Sequence, residues 1–208
     1  MTNHEFTRQE IYDEFFRQRT DKVKYSQTYA EVFSRIDPKI ILEIGVAGGG
    51  GIRAFRTFFP EAKVYGIDYD PNLNPDECHF VGDQADSEFL ERVISQTGQP
   101  DLVIDDGSHR WSDLRTSFDV LFPHLTEGGL YIVEDLETSY VDFFGDTEPF
   151  TEFLKSLLDV TVHEWTNEMS VCSMHLYPRL AVLEKGTPTL MDLGHDWKLA
   201  EAVLTINI

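Results

Sequence analysis

Apolar and polar positions alternate along the middle of this chain in a way that predicts strands and helices in turn. Buried strands are predicted where short runs of Ile, Val and Leu occur, at 40–44, 63–68, 79–82, 102–105 and 129–133. Apolar residues recur between these runs at three- and four-residue spacing, which predicts helices over 52–59, 87–96 and 112–122. Because strands and helices alternate, we expect a parallel sheet with helices on both faces.

The two ends of the chain follow other patterns. Residues 4–36 carry aromatic and aliphatic side chains at helical spacing around a polar break at Thr20-Asp21, which predicts an N-terminal helical extension over 1–36. An aromatic, acidic loop over 137–149 is followed by a predicted helix over 150–158. Strands at 160–165 and 173–184 are expected to pair as an antiparallel hairpin.

These patterns together predict an α/β fold in a single domain. The sheet should be doubly wound, mostly parallel and seven-stranded, with N-terminal helices and a C-terminal antiparallel hairpin. The sheet and its covering helices are expected within residues 37–208.

Composition narrows the classes of function. The chain of 208 residues has 37 acidic and 17 basic side chains, a net charge of −20, which argues against a nucleic-acid backbone as partner. No apolar run approaches the roughly 20 residues of a membrane span, and the polar start lacks a signal-peptide pattern. Isolated Cys78 and Cys172 indicate reduced thiols, so we expect a cytoplasmic protein without disulfides.

Candidate chemistry is concentrated where two predicted strands end in acids. Asp106 follows one strand and Glu134-Asp135 follow the next, with His109 a short turn beyond Asp106. Adjacent parallel strands would bring these ends together, and oxygen ligands of this kind suit Mg²⁺. A neighbouring imidazole suits a general base. The alternative is that these acids only cap the following helices and stay solvated.

The glycine-rich turn after the first strand indicates the cofactor. The stretch from Glu43 to Gly51 lacks the G-x-G-x-x-G pattern of dinucleotide sites, since Ala47 stands two after Gly45, and this disfavours a nicotinamide dehydrogenase. An acid at Glu43 would repel pyrophosphate but suits a cationic ligand such as S-adenosylmethionine.

Further candidate cofactor contacts follow at the ends of later strands. Asp68 is placed to accept the ribose hydroxyls, and Asp83 with Gln84 could bind the adenine edge. Asp105 has two open roles: to touch the amino-acid portion of the donor, or to orient the loop that follows it.

Four stretches of the chain resemble one enzyme family. They are Ile41-Leu42-Glu43-Ile44-Gly45-Val46, Ile104-Asp105-Asp106-Gly107-Ser108-His109, Gly128-Gly129-Leu130-Tyr131-Ile132-Val133-Glu134-Asp135-Leu136 and Thr138-Ser139-Tyr140. The chain is similar in these motifs to the macrocin and mycinamicin sugar O-methyltransferases, a group that includes the cephalosporin-hydroxylase-like proteins. Thr20-Asp21-Lys22 also matches an N-terminal signature of the group.

The resemblance implies a class I methyltransferase domain over 37–208, S-adenosylmethionine as methyl donor and Mg²⁺ at the active site. By position, Asp106, Glu134 and Asp135 match the metal ligands of the family, and His109 matches its base. Three departures stand out: Gly51 where Ser or Thr is common, Glu137 where His is common, and a shortened stretch between Lys22 and Tyr25. The last two border the expected acceptor pocket.

The predicted function is therefore metal-dependent methylation of a sugar hydroxyl on a glycosylated natural product or glycan. A catechol-type O-methyltransferase and a non-catalytic S-adenosylmethionine-binding partner protein are the alternatives. A small-molecule glycoside is the expected partner, and a homo-oligomer is possible in this family. Aromatic Tyr140, Phe143 and Phe144 mark the loop over 137–149 either as a lid over the acceptor or as a subunit contact.

Overall fold

One seven-stranded sheet organises the fold. The structure, a computed structural model, describes residues 6–163 and 170–186, without the side chains of residues 160–163. Its strands are β1 Ile40–Ile44, β2 Lys63–Asp68, β3 Phe80–Val81, β4 Leu102–Asp105, β5 Leu130–Val133, β6 Val171–Tyr177 and β7 Leu180–Lys185. They lie in the order β3-β2-β1-β4-β5-β7-β6, with β1 to β5 parallel and β6 and β7 antiparallel. This topology confirms the predicted fold class.

Helices cover both faces of the sheet. They are α1 Arg8–Gln18, α2 Ser26–Phe33, α3 Gly50–Phe58, α4 Ser87–Thr97, α5 Trp111–Leu121 and α6 Phe150–His163. Short 3-10 helices lie at Asp21–Tyr25, Phe122–His124, Leu136–Tyr140 and Asp142–Phe144. Within the described ranges, each helix is too short or too polar to cross a bilayer.

Alternate strand residues feed two apolar cores. On one face, α4, α5 and α6 pack against residues such as Leu42 and Val103. On the other, α1, α2 and α3 pack against Ile41 and Ile104. The N-terminal helices therefore share a core with the sheet. The division at residue 37 stays a prediction, and residues 187–208 of the predicted domain lie outside the described part of the chain.

The predicted C-terminal hairpin is wrong in its boundaries. Residues 160–163, predicted as the start of a strand, belong to α6, and residues 164–165 lie outside the described ranges. The run predicted as a single strand over 173–184 is instead divided by a turn at Pro178-Arg179, and its two halves belong to β6 and β7. A short apolar run does not distinguish helix from strand, and the proline was the turn signal that should have divided the second run.

Strand register brings the important residues to one edge of the sheet. Ile44 pairs with Asp105, and Asp105 pairs with Val133, so β1, β4 and β5 end at the same level. Gly45 follows β1 with a positive φ of 88°, and a Cβ there would lie 2.0 Å from the carbonyl oxygen of Asp106. Only glycine fits this close approach between two strand ends.

Replacing Gly45 by alanine should therefore destabilise the protein. We expect Gly45→Ala to lower the free energy of unfolding by about 1–3 kcal/mol, because it adds both backbone strain and a steric clash. Gly48→Ala is the matched control, since a Cβ at this exposed position meets nothing within 4 Å. Urea unfolding of both variants measures the difference, and equal stability of the two would contradict the argument.

Candidate active site

Three polar side chains converge at the carboxyl edge of β4 and β5. One potential ligand atom from each of Asp106, His109 and Asp135 lies within 4.8 Å of the others. The Nε2 atom of His109 is 4.0 Å from Oδ1 of Asp106 and 3.9 Å from Oδ2 of Asp135. The strand-end pattern in the sequence anticipated this meeting, while the role of each residue stays a prediction.

Backbone strain marks the same place. His109 has a φ of 59° and Asp135 a φ of 51°, both in the left-handed region that non-glycine residues seldom adopt. Such conformations cost about 1–3 kcal/mol each and cluster at functional sites. Hydrogen bonds from Lys24 and Tyr25 outweigh the effect of burial on Asp135 and hold the pKa of this carboxyl below its usual value. Asp135 is therefore anionic at neutral pH.

Glu134 lies beside this group but is not part of it. The side chain is fully buried, and its Oε1 atom accepts hydrogen bonds from Nζ of Lys22 at 2.9 Å and from the hydroxyl of Tyr29. Its second oxygen, Oε2, is buried without a hydrogen-bond partner among the described atoms. Glu134 is thus not one of the three residues of the convergent group, but Lys22 bonds to both Glu134 and Asp106, and Oε2 of Glu134 has no partner among the described atoms.

Lys22 is a residue of the site whose contacts the sequence did not predict. Its ammonium is 2.6 Å from Oδ2 of Asp106 and 3.3 Å from Oε1 of Glu43, in addition to its bond with Glu134. Burial alone would lower the pKa of Lys22, but these three carboxyls outweigh it and hold the pKa well above the ordinary value. The family signature at residues 20–22 was the only sign in the sequence that Lys22 matters. No local pattern predicted which acids Lys22 contacts.

Three carboxyl groups, those of Glu43, Asp106 and Glu134, surround the single ammonium of Lys22. Burial raises the pKa of Glu43 to about 7 and that of Glu134 to about 8, although Lys22 opposes both shifts. Gly51 makes room for this arrangement, because a Cβ there would lie 2.0 Å from Oε1 of Glu43. Any larger residue at position 51 would therefore require Glu43 to move.

A cavity of about 580 Å³ opens beside the convergent group. Four predicted cofactor residues, Gly45, Asp68, Asp83 and Gln84, line it together with Asp106, His109 and Asp135. Oδ2 of Asp68 accepts bonds from the amides of Val46 and Ala47, at 2.8 and 3.1 Å, and so fixes the glycine turn.

Gln84 supports the opposite wall of the cavity. Its Oε1 atom accepts from the amide of Ser108 at 2.7 Å, and its Nε2 atom donates to Asp105 at 3.2 Å. With both ends of its carboxamide engaged, Gln84 holds a loop of the site in place. Its predicted contact with an adenine edge stays a prediction.

Glu43 and Asp105, both predicted to bind the cofactor, are not among the residues that line the cavity. Glu43 is buried, and its carboxyl group faces the ammonium of Lys22. The cation beside Glu43 is therefore a lysine of the chain itself, where the sequence predicted the cationic methyl donor. Asp105 is fully buried and accepts hydrogen bonds from Ser117, Tyr131 and Gln84. These contacts favour the second of its two predicted roles, that of orienting the following loop.

The loop over 137–149 packs against the start of α5. Trp111 donates to the carbonyl of Thr138 at 3.0 Å, and a Cβ at Gly145 would lie 2.7 Å from the Trp111 ring. The ring of Phe144 lies 6.1 Å from that of His109, whereas Phe143 is 85% exposed. The position of Phe144 at the site fits a lid over the acceptor, and the exposure of Phe143 fits a subunit contact. Both roles of the loop therefore stay predictions.

Comparisons with known proteins agree with the geometry. The chain is 38% identical over 173 residues to the mycinamicin VI 2''-O-methyltransferase of Micromonospora griseorubida, covering 70% of this chain and 43% of that protein. It is 36% identical over 191 residues to the 8-demethyl-8-(2-methoxy-alpha-L-rhamnosyl)-tetracenomycin-C 3'-O-methyltransferase of Streptomyces olivaceus, covering 78% and 49%. The chain belongs to the macrocin- and mycinamicin-type sugar O-methyltransferase family.

Solved structures of this family show the same fold. The MycE methyltransferase from the mycinamycin biosynthetic pathway, in complex with Mg, SAH and mycinamycin VI, superposes with a TM-score of 0.75 at 34% identity, over 85% of this chain and 54% of that one. No protein-family model matches the chain. The chain spans about half the length of the curated relatives it matches.

Proposed function

We propose that this chain catalyses metal-dependent transfer of a methyl group from S-adenosylmethionine to a sugar hydroxyl of a glycosylated natural product. The observation that carries the proposal is the convergence of Asp106, His109 and Asp135 within 4.8 Å at the wall of one cavity. The names of the relatives supply the class of acceptor, because they describe O-methylation of sugars on mycinamicin and tetracenomycin.

The acidic group fits a hard divalent cation. Asp106 and Asp135 offer carboxylate oxygens, Asp135 is anionic, and the buried Oε2 atom of Glu134 has no protein partner among the described atoms. Carboxylate oxygens are the ligands that Mg²⁺ prefers. When bound, the cation would supply Lewis acidity that lowers the pKa of the acceptor hydroxyl. Asp106, Glu134 and Asp135 are the residues proposed to hold it.

The neighbouring cavity fits S-adenosylmethionine. Its volume of about 580 Å³ lies within the range of roughly 300–1,000 Å³ for small-molecule sites. Besides Asp106 and Asp135, four further aspartates line it, and this acidity suits a cationic donor better than a pyrophosphate: Asp21, Asp68, Asp70 and Asp83. When bound, the donor would supply a methyl group on its sulfonium. Gly45 and Asp68 would hold it by shaping the turn and by accepting ribose hydroxyls.

His109 is proposed to remove the proton from the acceptor hydroxyl. Its Nε2 atom faces both aspartates, and its other ring nitrogen, Nδ1, has no hydrogen-bond partner among the described atoms. A neutral imidazole held beside a hydroxyl can accept its proton as the oxygen attacks the methyl group. His109 lines the cavity, and the ring of Phe144 lies 6.1 Å from its own ring.

We also expect a cytoplasmic protein, since Cys78 and Cys172 are both free thiols. A glycoside as the small-molecule partner and a homo-oligomeric state are further parts of the proposal. The high negative charge still argues against nucleic acid as a partner.

The proposal predicts methylation of sugars that depends on a divalent cation. Purified protein should transfer label from S-adenosylmethionine to a panel of deoxysugar glycosides, lose this activity in EDTA and regain it with added Mg²⁺. Simple catechols should be methylated far more slowly, and comparable rates on catechols would favour the catechol-type alternative. Turnover that persists in EDTA would contradict the metal role. Cofactor binding without turnover on any acceptor would favour a non-catalytic partner protein.

Removing the proposed base should affect the reaction and spare the binding steps. We expect His109→Ala to lower turnover by about 10²–10⁴-fold, which is the usual contribution of a positioned general base. Affinity for S-adenosylhomocysteine, measured by calorimetry, should be unchanged. His124→Ala serves as control, because His124 lies at a helix end beside Glu91 and does not line the cavity. Near-normal turnover of His109→Ala across the pH range would refute the assignment.

A further inference from the structure

Four side chains between residues 22 and 29 contact the three acids that are proposed to hold the metal. They are Lys22, Lys24, Tyr25 and Tyr29. The first three lie on the short helix Asp21–Tyr25, and Tyr29 lies one turn into α2. All four belong to the N-terminal segment, far in sequence from the strand ends that they contact.

Glu134 shows the pattern of these contacts most clearly. Lys22 and Tyr29 both donate to its Oε1 atom, while its Oε2 atom has no partner among the described atoms. Both donors are buried, with exposed fractions of 2% for Lys22 and 0% for Tyr29. Water therefore does not compete for the anchored oxygen, and the carboxyl group is held with its second oxygen unsatisfied.

Asp106 and Asp135 repeat the arrangement. Lys22 holds Oδ2 of Asp106 at 2.6 Å, while Oδ1 faces Nε2 of His109 at 4.0 Å. Tyr25 and Lys24 hold Oδ1 of Asp135 at 2.5 and 2.7 Å, while Oδ2 faces the same histidine nitrogen at 3.9 Å. In each acid the N-terminal segment holds one oxygen, and the other oxygen is left to the site.

We propose that the segment from Lys22 to Tyr29 is an outer coordination layer of the metal site, and that its four polar side chains are positioning residues. By holding one oxygen of each carboxylate, they direct the other toward the cation and limit each acid to one ligand atom. Such outer partners orient metal ligands, and their loss typically costs about 10- to 100-fold in metal affinity or activity. The inference rests on the metal-dependent function proposed above.

The two tyrosines allow the sharpest test, because their replacement by phenylalanine removes a hydrogen bond without changing charge. Removing Lys22 would change both position and charge, since an ammonium beside the site also repels a cation. We expect Tyr25→Phe and Tyr29→Phe each to weaken binding of Mn²⁺ by about 10- to 100-fold, measured by electron paramagnetic resonance of the free ion. Affinity for S-adenosylhomocysteine should stay at the level of the unmodified protein.

Tyr131→Phe is the matched control. Tyr131 is also fully buried and donates to a carboxylate, Asp105, at 2.9 Å, but it does not contact the proposed ligands. This variant should lose stability comparably while keeping its Mn²⁺ affinity. The melting temperature of each variant shows whether weaker Mn²⁺ binding results from unfolding or from misplaced carboxylates in a folded protein.

The outcomes distinguish this inference from the function on which it rests. If the unmodified protein binds Mn²⁺, but Tyr25→Phe and Tyr29→Phe bind it equally well, the outer layer is refuted and the proposed function stands. If the unmodified protein binds S-adenosylhomocysteine but no Mn²⁺, the metal part of the proposed function fails as well. Selective loss of Mn²⁺ affinity in the two variants, without loss in Tyr131→Phe, supports the inference.

Discussion

The site depends on the ion pairs that the buried ammonium of Lys22 makes with three carboxyl groups. This ammonium joins the N-terminal segment to Glu43 at the end of β1, Asp106 after β4 and Glu134 after β5, at 3.3, 2.6 and 2.9 Å. Removing one partner of a buried ion pair typically costs about 3–5 kcal/mol, because the remaining charge is left without compensation. One lysine thereby ties α1 and α2 to the edge of the sheet where the chemistry is proposed.

The sheet supplies the other half of the constraint. Parallel strands in register end together, and the glycine turn passes close enough to Asp106 that Gly45 tolerates no side chain. The acids therefore gather from separate parts of the chain. His109 and Asp135 both have unfavourable left-handed backbones, and their side chains approach to 3.9 Å. An uncompensated buried charge is costly, and burial therefore raises the pKa of Glu43 and of Glu134. A bound divalent cation would favour the ionised carboxylates, so the acids that shape this part of the fold would also bind the metal.

The order of strands and helices and the position of the site could be predicted from the sequence. The spacing of apolar residues and the acids at strand ends are both local signals. The alternation of strands and helices gave the order of elements, and acids at two strand ends indicated where Asp106, His109 and Asp135 would meet. Other features depend on contacts between distant residues. Lys22 lies 84 residues from Asp106 and 112 from Glu134, so no local pattern revealed the pairs. Asp105 is buried whereas the adjacent Asp106 lines the cavity, because consecutive positions at a strand end point to opposite faces of the sheet. The hairpin was misplaced because an apolar run fits a helix as well as a strand.

Anomalous diffraction from crystals grown with Mn²⁺ and S-adenosylhomocysteine would locate the metal directly. We expect one Mn²⁺ peak within bonding distance of Asp106, Glu134 and Asp135, with Lys22 and Tyr29 still bound to the opposite oxygen of Glu134. The cofactor should lie in the cavity beside Gly45 and Asp68. A peak elsewhere, or a metal held only after Lys22 has left these carboxylates, would show that the ammonium of Lys22 does not organise the metal site.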